Sequence, residues 1–220
     1  MSSTSLTADE IKAQVLWVAK EMLRINLVEG TAGNLGARLP DGNAVLTPSS
    51  LDYTEMTLDD LVVCDLDGNV LEGTRGPTSE KALHLTALRE HADIAATMHC
   101  HAKFATMFAL TRTPIPAVIE EFEVFVGGDV EVADYRTTGT DELAKEVAGR
   151  VGTKAAVLMA NHGLFAVGKT PKDVLHIASL VERTAEIVWG ARALGNVVPL
   201  PEEVGKTFQG YYRFGRTGKM

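Results

Sequence analysis

Cysteine is scarce in this sequence: Cys64 and Cys100 are the only two among 220 residues, and both lie within apolar runs. A small secreted domain held together by disulfides needs several paired cysteines at regular spacings, so that class of protein is excluded. We predict two reduced thiols in a cytoplasmic protein.

Basic residues are fewer than acidic ones, 21 against 29, which gives a formal net charge of −8. Binding to a phosphodiester backbone requires a basic face, so a nucleic-acid partner is not expected. A small anionic substrate remains compatible with this charge, because backbone N–H groups hold phosphate without a net positive charge.

Long apolar runs are also missing. No stretch approaches the roughly 20 apolar residues of a membrane-spanning helix. The opening MSSTSLTADEIK has neither the basic nor the apolar region of a secretory signal. We therefore expect no membrane association and a cytoplasmic location. The length suits a single domain over residues 1–220, with 196–220 as a C-terminal tail that docks on it.

Predicted strands and helices alternate along the chain. Thr7 and Glu10 form a capping box for a first helix that runs to about Leu27, and Ser79 caps a second helix. Two hairpins are predicted, from NLGARLP with AVLTP and from LVVCD with VLEG, and two buried strands, IAATMHCH and AAVLMAN. This pattern predicts an α/β sandwich with a mixed, largely antiparallel sheet.

Histidine is rare as well, yet two of the six lie two residues apart in ATMHCHAKFA. On a strand, His99 and His101 share one face and Cys100 takes the other. A hydrogen-bonded pair is one interpretation; a platform for a divalent ion is the other, and it needs a third ligand. His162 ends a second buried strand, and Gly163 after it allows a tight turn. The helical patterns favour structural roles for His84, His91 and His176.

Glu80, in GPTSEKALH, is the candidate for a fourth ligand. Three neutral imidazoles leave a position on the metal for water, substrate or a labile carboxylate. A glutamate at a helix start is also explained by its favourable interaction with the helix dipole. The functional alternative is a carboxylate that leaves the metal and acts as a base.

Small polar side chains gather in three loops, GTAGNLGARL, LTPSS and PTSE. Such loops present N–H and O–H donors that can surround a phosphate, although ordinary turn chemistry explains any single one of them. We interpret the three together as an anion pocket. The candidate residues are Thr31, Asn34, Ser49, Ser50, Thr78 and Ser79.

These three loops, with HCHAKFAT and NHGLFAVG in this order and spacing, resemble the class II aldolase/adducin family over about residues 8–195. The resemblance is greatest to its L-fuculose-phosphate aldolase branch. It implies a three-layer α/β/α sandwich around a largely antiparallel sheet. It also implies a homotetramer with active sites between neighbouring subunits, and a small phosphorylated sugar as substrate.

The resemblance also implies roles for individual residues. Zn²⁺ would be bound by His99, His101 and His162, with Glu80 as the fourth ligand at rest and as the catalytic acid/base. Mn²⁺ and Co²⁺ are alternatives, because such ligands select weakly among these ions. The phosphate site would consist of the six loop residues named above.

One position departs from the family pattern. The aldolases have a tyrosine, contributed by the neighbouring subunit, that protonates the aldehyde oxygen. Here the matching stretch is AVIEEFEVFVGGD, and the matching residue is Glu120. We expect Glu120 to take the role of proton donor at a subunit interface. Tyr211 and Tyr212 in the tail are alternatives that either close the site or merely pack. Val124 replaces the aspartate of the epimerase relatives, which disfavours a sugar-phosphate 4-epimerase.

The leading hypothesis is a lyase, a metal-dependent aldolase that cleaves a ketose 1-phosphate such as L-fuculose 1-phosphate. The products would be dihydroxyacetone phosphate and an aldehyde, formed through a metal-stabilised enediolate. The alternative is a metal-dependent decarboxylase of a hydroxy-aromatic or keto acid. The phosphate loops favour the aldolase, since loss of CO₂ does not require a phosphate pocket. A non-catalytic adducin-like module would have no use for three ligand histidines.

Overall fold

An eight-stranded sheet lies between two layers of helices in the computed structural model, which describes residues 6–218. This confirms the three-layer α/β/α prediction. The first five residues of the predicted domain and the last two of its tail lie outside the described residues. None of the helices within 6–218 is long and apolar enough to cross a membrane.

The sheet is mixed and largely antiparallel, with strand order β4-β3-β2-β1-β5-β8-β7-β6. Only the β6–β7 pair is parallel among the described strands. The strands are β1 (Asn34–Arg38), β2 (Ala44–Leu46), β3 (Val62–Cys64), β4 (Val70–Glu72), β5 (Ala96–Cys100), β6 (Val132–Ala133), β7 (Ala156–Met159) and β8 (Gly163–Gly168).

Seven α-helices cover the two faces of the sheet in the described part of the chain. They are α1 (Ala8–Arg24), α2 (Lys81–Glu90), α3 (Lys103–Thr111), α4 (Glu120–Val126), α5 (Asp141–Arg150), α6 (Pro171–Leu194) and α7 (Glu202–Thr217). Helices α2 and α5 pack on one face, and α1, α3 and α6 pack on the other.

Side chains alternate along the central strands between two hydrophobic cores. In β5, Ala96, Met98 and Cys100 enter the core shared with α1 and α6. Thr97 takes the opposite face, where its hydroxyl contacts His84 of α2. His99, two residues further, shares the face of Thr97, so the predicted separation of His99 from Cys100 is confirmed.

Two predicted helix boundaries were wrong. Helix α1 ends at Arg24 rather than near Leu27, because Asn26 turns the chain in a left-handed conformation with φ 61°. The N-cap of α2 is Glu80 rather than Ser79. The Glu80 side chain makes no capping hydrogen bond, which leaves its carboxylate free to face another partner.

Candidate active site

Three histidines converge where β5 and β8 meet. These strands pair antiparallel, with Cys100 opposite Leu164, so the end of β5 lies beside the start of β8. His99 and His101 come from the end of β5, and His162 immediately precedes β8. One ligand nitrogen from each ring lies within 4.8 Å of the others, and the His99 and His101 Nε2 atoms are 3.1 Å apart.

A tight turn between β7 and β8 places His162. The His162 N–H donates to the Met159 carbonyl at 3.0 Å, and Asn161 adopts a left-handed conformation with φ 57°. Gly163 follows in a very confined position, where an added Cβ would lie 2.5 Å from the Cys100 carbonyl oxygen. Only glycine lets the backbone of β8 approach β5 this closely.

His99 directs one ring nitrogen into the cluster as an acceptor. His99 Nδ1 lies 3.0 Å from the Leu164 carbonyl, which can only accept, so Nδ1 carries the proton and Nε2 is free to bind a cation. Burial lowers the pKa of His99 to about 3, and burial also lowers the pKa of His101.

The donor set fits a divalent cation. Zinc held at about 2.0–2.1 Å by tetrahedral imidazoles would separate two ligand nitrogens by about 3.3–3.4 Å. The separation of 3.1 Å between the His99 and His101 Nε2 atoms is close to that value. Neutral imidazoles are also the protonation state that metal binding requires.

Glu80 faces these histidines as a carboxylate. Its oxygens lie 3.3 Å from His99 Nε2 and 3.6 Å from His162 Nε2. Asn34 Nδ2 donates to Oε2 at 3.0 Å, and Thr138 Oγ1 donates to Oε1 at 2.8 Å. Burial acts to raise the pKa of Glu80, but the hydrogen bonds from Asn34 and Thr138 favour the carboxylate, and the pKa is lowered. The site therefore combines imidazole nitrogens with one carboxylate.

The loops LTPSS and PTSE, here called the hydroxyl-rich loops, are joined by an antiparallel bridge between Pro48 and Pro77. The Thr78 N–H donates to the Thr47 carbonyl at 3.0 Å, and the Ser49 N–H donates to the Gly76 carbonyl at 3.0 Å. Short loops that bear hydroxyls are thus held side by side next to Glu80.

One cavity of about 240 Å³ contains these loops and part of the histidine cluster. Its described lining includes no lysine or arginine, so an anion there would be held by neutral N–H and O–H donors. All six predicted substrate-binding residues line it together with Glu80 and two histidines: Thr31, Asn34, Ser49, Ser50, Thr78, Ser79, His101 and His162.

Sequence reasoning missed Thr138 and part of the role of Asn34. Thr138 lies 58 residues from Glu80 in the chain, and no spacing in the sequence connects the two. Asn34, predicted to contact substrate, uses both ends of its amide within the protein, since Oδ1 lies 2.6 Å from His84 Nε2.

Glu120 lies outside the cavity of its own chain. It is the exposed first residue of α4 and is absent from the described cavity lining. Glu123, three residues further along α4, is buried and accepts a hydrogen bond from Gln209 of α7 at 3.4 Å. Burial raises the pKa of Glu123.

The two tail tyrosines have different surroundings. Tyr212 is buried, and its hydroxyl accepts from Arg216 Nη1 at 2.8 Å. Tyr211 is exposed on the same helix. Within the described lining, neither tyrosine reaches the cavity of its own chain, so Tyr212 serves packing.

Residues 13–189 match the family model described as the class II aldolase and adducin N-terminal domain. Two curated proteins align over almost the whole chain. The 5-deoxy-D-ribulose 1-phosphate aldolase of Bacillus thuringiensis serovar kurstaki is 34% identical over 205 residues, which cover 91% of this chain and 96% of that protein. The L-fuculose phosphate aldolase of Escherichia coli O6:H1 is 31% identical over 209 residues, which cover 94% and 96%.

Solved structures show the same similarity. A structure titled L-fuculose 1-phosphate aldolase superimposes with a TM-score of 0.89 at 35% identity, covering 97% of this chain and all of that one (100%). The sequence and structure comparisons therefore agree on one family.

Proposed function

The chain belongs to the class II aldolase and adducin family, and from this premise we propose that it cleaves a ketose 1-phosphate into dihydroxyacetone phosphate and an aldehyde. The supporting observation is a single cavity that contains the Glu80 carboxylate, two of the clustered histidines and the hydroxyl-rich loops. Such a cavity can hold a reacting carbonyl group and a phosphate at the same time.

We propose that His99, His101, His162 and Glu80 hold a divalent cation, with Zn²⁺ preferred and Mn²⁺ or Co²⁺ as alternatives. When bound, the cation supplies Lewis-acid polarisation of the substrate carbonyl. His99 keeps its Nε2 directed at the site through the hydrogen bond between its Nδ1 and the Leu164 carbonyl.

Glu80 is the proposed base. In the direction of C–C bond formation, it removes the proton from the carbon next to the carbonyl, and in cleavage it returns that proton. Its hydrogen bonds from Asn34 and Thr138 keep the carboxylate ionised and oriented. Glu120 of a neighbouring subunit, in a homotetramer, is the proposed group that protonates the aldehyde oxygen in C–C bond formation and takes the proton from the corresponding hydroxyl in cleavage.

The hydroxyl-rich loops are the proposed phosphate site. Binding energy from a phosphate is remote from the reacting carbons, and it holds the carbonyl group in a fixed orientation. Decarboxylation of an aromatic or keto acid would leave these donors without a partner, which favours the aldolase over the decarboxylase.

The test is an assay of the metal-loaded protein on a panel of ketose 1-phosphates, with CO₂ release from hydroxy-aromatic and keto acids measured in parallel. The panel includes L-fuculose 1-phosphate and 5-deoxyribulose 1-phosphate, since relatives are named for these compounds. Cleavage of the second between C3 and C4 yields dihydroxyacetone phosphate and acetaldehyde.

We expect dihydroxyacetone phosphate from at least one ketose 1-phosphate. The unphosphorylated ketose is the matched control, and it should be a much poorer substrate because the phosphate contacts are lost. Release of CO₂ without any dihydroxyacetone phosphate would identify a decarboxylase and refute the proposal.

A further inference from the structure

We propose that His84 is a positioning residue for Glu80: acting through Asn34, it fixes the orientation in which the carboxylate faces the three histidines. The inference rests on the proposed roles of Glu80 and of the metal site. His84 lies outside the cavity lining, on the side of Asn34 away from Glu80.

The orientation of the Asn34 amide follows from its contact with the negatively charged Glu80 carboxylate. The Glu80 carboxylate can only accept hydrogen bonds, so the Asn34 atom 3.0 Å from Oε2 is the donor, Nδ2. The Asn34 Oδ1 atom therefore points away, towards His84 Nε2 at 2.6 Å. Two acceptors would repel at this distance, so His84 Nε2 must carry a proton.

The Thr97 hydroxyl, on the other side of the His84 ring, is consistent with a proton on Nε2. Residue His84 is fully buried, and burial lowers its pKa to about 4, so the ring is neutral and carries one proton. With that proton on Nε2, Nδ1 is an acceptor, and the Thr97 hydroxyl at 2.7 Å donates to it. The Gly36 carbonyl, 3.2 Å from the same hydroxyl, is the more distant alternative acceptor.

These links form one buried chain from Thr97 through His84 and Asn34 to Glu80, anchored on β5, α2 and β1. Glu80 caps α2 and His84 follows four residues later, so both side chains lie on one face of that helix. The His84 ring also packs against Phe165, with ring centroids 5.7 Å apart. His84 and Thr97 are therefore held in place away from water, while Asn34 and Glu80 face the cavity.

Removing the Nε2 donor would leave Asn34 Oδ1 buried without a partner. The amide could then rotate by half a turn and present its oxygen to the Glu80 carboxylate, which would repel it. Groups that orient a metal ligand in this way typically change metal affinity or activity by about 10–100-fold when they are removed.

The test compares His84→Leu with His84→Gln. Glutamine can place an amide N–H near the position of Nε2 and keep the bond to Asn34, whereas leucine cannot. We expect His84→Leu to bind Zn²⁺ about 10–100-fold more weakly in competition with a chelator, and to change the visible spectrum of bound Co²⁺. The Gln variant should keep most of the wild-type affinity and spectrum. If the Leu variant instead binds like wild type, or both variants lose affinity equally, the proposal is wrong.

His91→Gln is the matched control. His91 ends the same helix, and its Nε2 bonds to the Ala148 carbonyl at 2.8 Å, away from the site. This change should alter thermal stability at most, with Zn²⁺ affinity as in the wild type.

If His84→Leu does not fold, a second pair of variants tests whether His84 positions Glu80. Thr97→Val removes the hydroxyl that faces Nδ1, and Thr97→Ser keeps it. Weaker Zn²⁺ binding in the Val variant alone supports the proposal, and equal binding in the two contradicts it. These measurements need no substrate. A wild-type protein that binds Zn²⁺ but cleaves no ketose 1-phosphate would refute the proposed function and leave this result standing.

Discussion

Cys100 illustrates, at the scale of single residues, how alternation along a strand decides chemistry. It lies between His99 and His101 in the sequence, and cysteine is a common zinc ligand. Its side chain nevertheless enters the apolar core on the other face of the sheet. Burial raises the pKa of Cys100 to about 12, so the thiolate that metal binding requires does not form.

The first prediction compares metal binding after substitutions on the two faces of β5. Replacing His99, His101 or His162 with Ala should lower bound metal well below one ion per chain, because three imidazole nitrogens form most of the site. Replacing Cys100 with Ala should leave the metal content unchanged. Elemental analysis of the purified variants measures both. Full metal content in all three histidine variants would refute the site.

At the scale of elements, the arrangement of the three histidines depends most on the turn between β7 and β8. It has to reverse the chain and bring His162 to the end of β5 at the same time. Gly163 makes this possible, because the backbone there lies against the Cys100 carbonyl and the rings of His99 and His101.

The second prediction concerns that contact. Gly163→Ala would place a Cβ 2.5 Å from a rigid backbone oxygen, so the strands must separate. We expect destabilisation of about 1–3 kcal/mol, as in other overpacked sites, together with weaker metal binding. Gly149→Ala in α5 is the control, since its Cβ would meet nothing within 4 Å. Thermal unfolding and metal content of both variants test this, and equal stability of the two would count against the account.

Individual strands and helices were predicted well from the sequence, but the side-chain hydrogen bonds between them were not. Short buried apolar runs identified β5 and β7, and the Thr7–Glu10 capping box located the start of α1. The bond from Thr138 to Glu80 was not predictable, because it depends on how the segment before α5 lies across the sheet. The link from His84 to Asn34 likewise depends on α2 packing over β1, which no local pattern encodes.

At the scale of the whole molecule, several side chains are exposed on the surface without a role within the single chain. Glu120 is exposed, and Leu110 and Trp189 are 53% and 56% exposed. Large exposed apolar side chains often mark surfaces that a partner covers. The proposed homotetramer gives these residues a use, because Glu120 of one subunit could then reach the cavity of the next.

The third prediction tests that arrangement. Glu120→Gln should slow C–C cleavage by about 10²–10⁴-fold, the loss typical of a missing general acid/base that takes the proton of the C4 hydroxyl, while sparing proton exchange at the carbon next to the carbonyl. Co-expression of this variant with Glu80→Gln should restore cleavage, because some sites then combine an intact Glu80 with an intact Glu120. In a random mixture about one quarter of the sites would be complete.

Two controls accompany the mixing experiment. The molar mass in solution should be about four times 23.6 kDa. Each variant expressed alone should keep its own low rate of cleavage. A fully active monomer, or no recovery in the mixed assemblies, would exclude a site shared between subunits. Unchanged cleavage in Glu120→Gln alone would move the search for the donor to Tyr211.

Glu80 is the group proposed to move a proton at the carbon next to the carbonyl of a phosphorylated ketose. The most direct measurement is deuterium incorporation into dihydroxyacetone phosphate in D₂O, followed by NMR, which requires no knowledge of the aldehyde. Zn²⁺-loaded wild-type protein should incorporate deuterium at C3. The Glu80→Gln variant, loaded in the same way, should be slower by at least about 10²-fold. No incorporation by the wild type, or equal rates in the two proteins, would contradict the account.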